Sequence, residues 1–158
     1  MSEIFTLTLL IRIITSFICS IAFAVIFRVA SRHLLPAGLA GVIVYFIYHV
    51  IVCIGGGVFA AAFFSTAAGA AFAEVYARVR RCPVIIVLSA SIIPTVPGGD
   101  LYRTMQAILL GNADKALIHL ADTMSIALGI AGGIVIIALT FRIISDRLAN
   151  RRAKNGKK

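Results

Sequence analysis

The sequence predicts an all-α integral membrane protein with about five transmembrane helices, the fourth of them interrupted at a Pro-Gly motif. Hydrophobic residues make up 61% of the 158 positions and charged residues only 13%, and the mean hydropathy is +1.04. A soluble domain is nearer half apolar and a quarter charged, so this chain has more apolar surface than a core of its size can bury. That composition excludes an ordinary cytosolic enzyme, a disordered protein and a secreted disulfide scaffold.

Five apolar blocks are long enough to cross a bilayer, which needs about 20 residues of helix at 1.5 Å per residue. They run at about 5–27, 36–54, 58–77, 84–110 and 117–141. We therefore expect one transmembrane unit over residues 1–145, followed by a basic tail at 146–158. The first block is expected to be a retained helix rather than a signal peptide, because Glu3 stands where a signal peptide carries basic residues.

The basic residues fall into three clusters that lie between or after the apolar blocks. The first cluster is Arg28, Arg32 and His33, the second is Arg78, Arg80 and Arg81, and the third is Arg142, Arg147, Arg151, Arg152, Lys154, Lys157 and Lys158. Five helices put all three clusters on one side, and the positive-inside rule makes that side cytoplasmic, with the N-terminus outside and the C-terminus inside. The same rule accounts for the net charge of +9 better than nucleic-acid binding does.

Small residues recur at four-residue spacing along the third block. This small-residue stripe consists of Gly57, Ala61, Ser65, Gly69, Ala73 and Ala77, and the fifth block repeats the spacing with Gly129 and Gly133. Residues without bulk allow two helices to approach closely inside a membrane. We expect both sets to be packing surfaces.

Two prolines and two glycines fall together in the fourth block, at Pro94, Pro97, Gly98 and Gly99. Proline lacks a backbone N–H and disturbs the preceding helical turn, while glycine permits dihedral angles that other residues avoid. The helical segment before them, residues 84–93, is about 15 Å long, which is half of a hydrocarbon core about 30 Å thick. The helix is therefore expected to break near the bilayer midplane and to restart with Asp100 as its N-cap.

A broken helix at this depth is tolerated only where it is buried in protein or lines a wet cavity, and it is typical of transporter binding sites. The N-terminus of the second half offers free N–H groups to a carboxylate, and Arg103 could add a bidentate contact. The predicted substrate-binding residues are Pro94, Pro97, Gly98, Gly99, Asp100, Tyr102 and Arg103. The alternative is a kinked helix in which Asp100 and Arg103 form an ion pair and bind no ligand.

Other polar residues inside the apolar blocks are candidates for coupling transport to an ion. Asp122 in the fifth block is expected to face the bundle, where it could relay protons, bind a ligand ammonium or pair with Arg103. His49 in the second block is the other candidate, with an ordinary interior hydrogen bond as its alternative. Arg12 interrupts the first block and is expected to extend outward to the membrane surface or to face the bundle.

The sequence contains no pattern that supports catalysis or metal binding. His119, Asp122 and Ser125 follow one another at three-residue steps on one predicted helix, so their side chains lie in a row rather than converge as a hydrolytic triad must. The three cysteines, Cys19, Cys53 and Cys82, show no metal-ligand spacing. We therefore predict that the protein is not an enzyme and binds no metal or cofactor.

One known family shares several short segments with this chain. They are Phe23-Ala24-Val25-Ile26-Phe27-Arg28-Val29, then Arg32, then Leu39-Ala40-Gly41, then Ile93-Pro94-Thr95-Val96-Pro97-Gly98 with Tyr102 downstream. In these segments, spread over residues from about 20 to 145, the chain resembles the threonine/serine exporter (ThrE) family, and most closely its small split subunit of the YjjB type. Gly99, Asp100, Leu101 and the long basic tail depart from the split members.

The resemblance implies a secondary exporter that is assembled from two halves in the bacterial inner membrane. A larger membrane subunit would supply the other half, so it is the expected partner of this chain besides the lipid bilayer. Threonine and serine are the substrates the family implies, and succinate is the alternative implied by its split members. A rival from another class is a non-transporting membrane scaffold that stabilises a larger partner through its small-residue stripes.

Overall fold

The computed structural model describes the backbone of residues 2–155 and the side chains of residue 7 and residues 9–147. Six α-helices form this part of the chain: α1 Ser2–Ile26, α2 Leu34–Cys53, α3 Val58–Arg80, α4 Ile85–Ile92, α5 Gly98–Leu109 and α6 Ala113–Asn155. Two 3-10 turns, Ser31–His33 and Ile93–Thr95, precede α2 and follow α4. Because no strand occurs within these residues, the predicted all-α class is confirmed.

Four helical segments are long and apolar enough to cross a membrane by themselves: Leu9–Ile26, Ser31–Cys53, Val58–Arg80 and Ala113–Arg147. A fifth span arises if α4 with its 3-10 turn and α5 cross together, since these two pieces pass the same test as a pair bent by 45°. The prediction of about five helices with an interrupted fourth is therefore confirmed.

The last helix is longer than the predicted block at 117–141. α6 has 43 residues, about 65 Å at 1.5 Å per residue, which is twice the thickness of a hydrocarbon core. The sequence has no glycine or proline between Gly133 and Asn155, so nothing in it ends the helix at the membrane surface. The predicted tail is consequently helical as far as Asn155, and residues 156–158 lie outside the described residues.

The small-residue stripe of α3 faces the helices that surround it. Its members from Ala61 to Ala77 are buried and Gly57 is exposed. A Cβ atom added at Gly69 would overlap the Val44 side chain on α2 and would lie 3.7 Å from Ser91 Oγ on α4. The stripe therefore holds α3 against α2 and α4, as its spacing predicts.

The glycines of α6 lie directly on the backbone of α3. A Cβ atom added at Gly129 would come within 2.7 Å of the Phe59 carbonyl oxygen, and one at Gly133 within 2.6 Å of the Phe63 carbonyl oxygen. Both separations are shorter than van der Waals contact, so only glycine allows this approach. The packing role predicted for Gly129 and Gly133 is confirmed.

The basic clusters converge on one end of the bundle. Arg28 and Arg32 line a cavity of about 470 Å³ together with Arg81. At the same end, Arg78 donates hydrogen bonds of 2.6 Å to Ser145 Oγ and 3.1 Å to the Phe141 carbonyl oxygen, next to the start of the third cluster. The shared side is thus confirmed for the described part of each cluster, while the orientation of that side toward the cytoplasm stays a prediction.

Candidate functional site at the helix break

The chain between α4 and α5 changes direction within two residues. Val96 is extended (φ −62°, ψ 129°), and Pro97 has φ −77° and ψ 49°. The Leu101 N–H then donates to the Pro97 carbonyl oxygen at 3.1 Å, which closes the first turn of α5. The interruption that the Pro-Gly motif predicts is present at the predicted position.

The N-cap of α5 differs from the prediction. The helix begins at Gly98, so Pro97 is the N-cap and Asp100 lies in the first turn without a side-chain cap hydrogen bond. The two glycines take helical geometry instead of forming the break, because the extended residue before them already changes the chain direction. The Asp100 carboxylate is still stabilised by the positive end of the helix dipole, so a negative charge of the chain itself is already present at the first turn of α5.

Asp100 is the centre of a small charged cluster. Its Oδ1 atom lies 3.2 Å from Arg103 Nη1 and 3.8 Å from Nδ1 of His119 on α6. The ion pair is the one that the kinked-helix alternative predicts, while substrate binding by Arg103 stays a prediction. The Asp100 side chain is 24% exposed and that of Arg103 61%, so Arg103 remains open to further contacts.

His119 is a functional candidate that the sequence reasoning considered only as part of a rejected triad. Within the described residues its buried Nδ1 atom makes no hydrogen bond, since 3.8 Å is too long for one. A usable signal was present in the turn between α5 and α6. The short connection makes α5 and α6 antiparallel neighbours, so residues equally far from Gly111 lie at the same level, and His119 lies level with Arg103, about one turn from Asp100.

The two coupling candidates from the sequence lie on different helices: Asp122 lies on α6, three residues after His119, and His49 lies on α2. Asp122 is half-buried, as expected for a residue facing the bundle, and it forms no ion pair with Arg103 or any other described residue. His49 lies on α2, where its ring stacks on Tyr45 at 6.2 Å and its Nε2 atom is 3.5 Å from Cys53 Sγ.

The opposite side of the break borders a cavity of about 390 Å³. We call it the Arg12 cavity; it is lined by Arg12, Thr15, Ser16, Cys19, Tyr45, Ile93 and Pro94. Pro94 lies nine residues after the start of α4, about 14 Å along the helix axis and so near half the thickness of a bilayer core. The predicted site residues are therefore divided between two faces: Pro94 faces α1 and α2, whereas Asp100 and Arg103 face α6.

Comparison with known proteins decides what kind of molecule carries this break. The family model described as Threonine/Serine exporter, ThrE, matches residues 12–140, a range that contains every predicted site residue. The chain belongs to the threonine/serine exporter family. No curated protein and no solved structure matches it.

In this member of the ThrE family, part of the motif faces away from the rest of the chain. A Cβ atom added at Gly98 or Gly99 would meet no other atom within 4 Å, and the Tyr102 side chain is 68% exposed. Packing within the chain therefore does not require glycine at these two positions. Their surface is open to lipid, to a ligand or to another subunit.

The ThrE chain offers no metal site among its described residues. No group of three or more His, Cys, Asp or Glu side chains there could hold a metal ion.

Proposed function

We propose that this chain is the small membrane subunit of a two-component secondary exporter for small metabolites that carry a carboxylate, with threonine and serine as the first candidates. The observation that carries this proposal is the broken helix of an exporter-family chain, which has an ionisable cluster on one face and a cavity on the other. Membrane proteins retain charged groups at this depth where they serve a ligand or ion pathway. A scaffold that only stabilises a partner has no use for them.

Alternating access around the break is the mechanism that its packing supports. α4 packs on α2 and α1, whereas α5 packs on α6, so the two halves of the interrupted helix are held by different neighbours. Pro94 and Pro97 leave backbone carbonyls without their helical partners, and Gly98 and Gly99 allow large dihedral changes. Movement of the α5–α6 hairpin relative to α4 would open and close the substrate-binding segment from residue 94 to residue 103.

The charged cluster is the proposed coupling element. Asp122 and His49 are the candidates from the sequence, and the 3.8 Å approach of His119 to Asp100 adds a third. A protonated His119 would attract the Asp100 carboxylate and hold α5 against α6, whereas a neutral His119 would not.

A larger membrane subunit is the proposed partner, and the bacterial inner membrane is the proposed location, with the basic end of the bundle in the cytoplasm. The outward-facing Gly98, Gly99 and Tyr102 are the surface that such a subunit would cover. Small residues favour close helix approach in a membrane, and a tyrosine contributes a large contact area together with one hydroxyl.

Dicarboxylate export, with succinate as the test substrate, is the second candidate function. The cavity on the α6 side of α5 supports it, because Arg103 and Lys115 both line that cavity and could hold a second carboxylate. The test is co-expression with the larger subunit followed by export assays for threonine, serine and succinate, with cells that express the larger subunit alone as the negative control. Absence of export for all three substrates, at full membrane expression of both subunits, would refute the proposed function.

A further inference from the structure

Arg12 is a charged residue in the interior of an apolar helix. It lies 14 residues before the end of α1, which places its backbone about 21 Å from the basic end of the bundle and about 9 Å from the opposite surface of a core about 30 Å thick. No described carboxylate is in ion-pair range of its guanidinium. An arginine within a transmembrane helix is costly enough to mark a functional candidate, and the Arg12 side chain is exposed, so its guanidinium is available to an anionic group from outside the chain.

The hydrogen-bonding groups of the Arg12 cavity are divided into donors and acceptors. Arg12 donates only, and the Tyr45 hydroxyl makes no hydrogen bond to a described residue, so both can donate to an anion. The hydroxyls of Thr15 and Ser16 already donate, to the Ile11 carbonyl oxygen at 2.8 Å and to the Gly41 carbonyl oxygen at 3.1 Å. Their oxygen lone pairs remain available as acceptors.

We propose that the Arg12 cavity is the carboxylate subsite of the exporter, in which Arg12 and Tyr45 hold the substrate carboxylate. The inference rests on the proposed function and names the chemistry of its substrate. A carboxylate accepts hydrogen bonds only and matches the planar fork of a guanidinium. The acceptor oxygens of Thr15 and Ser16 suit the ammonium or hydroxyl group of a small amino acid, which a dicarboxylate lacks.

Arg12 is better placed for this role than Arg103. The Arg103 guanidinium already has Asp100 at 3.2 Å, so a substrate carboxylate there would have to compete with a carboxylate of the chain. Pro94 forms part of the wall of the Arg12 cavity. A substrate bound there would therefore contact the broken helix directly. Movement of the helix at the break would then change the contacts of the bound substrate.

Cys19 provides a native reporter, because it lines the same cavity. In a Cys53→Ser, Cys82→Ser background, the rate of Cys19 alkylation by N-ethylmaleimide is measured in permeabilised membranes that contain both subunits. Threonine should slow the alkylation, and threoninamide, which lacks the carboxylate, should not. Serine and succinate are run in parallel, and stronger protection by serine than by succinate distinguishes an amino-acid subsite from a general carboxylate site.

The variants test Arg12 itself. Arg12→Gln should raise the threonine concentration needed for half-maximal protection of Cys19 about ten- to 150-fold, which corresponds to the loss of a charge-assisted hydrogen bond. Arg12→Lys should also be impaired, because it keeps the charge and loses the fork. Arg142→Gln, which removes an exposed arginine at the basic end of α6, is the matched control and should retain protection. The threoninamide comparison uses no Arg12 variant, so it stands even if those variants fail to fold.

Each outcome decides a different proposal. Export without carboxylate-dependent protection of Cys19, or protection that is equal in the wild type and in Arg12→Gln, would overturn the subsite and leave the exporter function intact. Neither export nor protection for any of the three substrates would overturn both proposals. Protection by succinate that equals protection by serine would remove the assignment to amino acids.

Discussion

Nδ1 of His119 on α6 lies 3.8 Å from Oδ1 of Asp100 on α5, so the two arms of the hairpin that follows the break are joined by one ionisable contact. Asp100 is shared, since Arg103 approaches the same carboxylate oxygen at 3.2 Å. This contact lies between α5, which follows the break, and α6, on which α5 packs.

The first prediction concerns His119. His119→Gln keeps a polar side chain and loses the ionisable group, so it should uncouple transport from the proton gradient while retaining exchange of substrate across the membrane. Accumulation against an imposed pH gradient is the measurement, with exchange of labelled threonine as the companion assay. Asp114→Asn, which removes an exposed ionisable group at the start of the same helix, is the matched control, and equal losses in the two variants would contradict a special role for His119.

The second prediction concerns the ion pair. If Asp100 and Arg103 serve transport, the double variant Asp100→Asn, Arg103→Gln should be at least as impaired as either single variant. If the pair only neutralises two charges in a kinked helix, the double variant should regain what each single variant loses. Transport at matched expression distinguishes the two, and wild-type transport by the double variant would end the functional interpretation of the pair.

The third prediction concerns the helix break. Pro97→Ala together with Gly98→Ala should favour a continuous helix, because alanine restores the missing N–H and is a far better helix former than proline or glycine. Transport should be abolished while the protein remains in the membrane. Gly98→Ala alone is the control, since the added Cβ atom meets nothing within 4 Å, and it should not change the yield of folded protein.

The fourth prediction concerns packing. Gly69→Ala should destabilise the protein, because the added Cβ atom would overlap the Val44 side chain, and overpacking costs typically about 1–3 kcal/mol. Val44→Ala should relieve part of that cost in the double variant. Thermal unfolding in detergent is the measurement, and Gly99→Ala, with open space around it, is the matched control. Equal melting temperatures for Gly69→Ala and Gly99→Ala would contradict close packing at α3.

The fifth prediction concerns orientation. A cysteine in place of Gly56, in the turn between α2 and α3, should react with a membrane-impermeant thiol reagent added outside intact cells. Native Cys82, beside the basic clusters, should react only after the membrane is opened. Each cysteine is tested in a chain without the others, and labelling of Cys82 but not of position 56 in intact cells would reverse the topology.

The sequence by itself determined the membrane class, the number of spans and the position of the break. Those features depend on local properties: the length of apolar runs, the missing N–H of Pro94 and Pro97, and the absence of bulk along the α3 stripe. The position of the basic clusters at one end of the bundle also follows from the sequence, because two membrane spans separate each cluster from the next. The length of α6 was underestimated because the apolar run ends at the membrane surface while helical propensity continues beyond it.

Only the tertiary structure decided which faces of the broken helix meet which neighbours. Pro94 turns toward Arg12 and Tyr45, and Asp100 toward His119 on α6, although the chain places Pro94 and Asp100 only six residues apart. Helix rotation and pairing are set by side-chain packing between distant segments, here by the glycines of α6 lying on the backbone of α3. That packing orients His119 toward Asp100 and leaves the Arg12 cavity on the other side of the break. The sequence could not predict this arrangement, because a local pattern contains no information about the rotation of one helix against another.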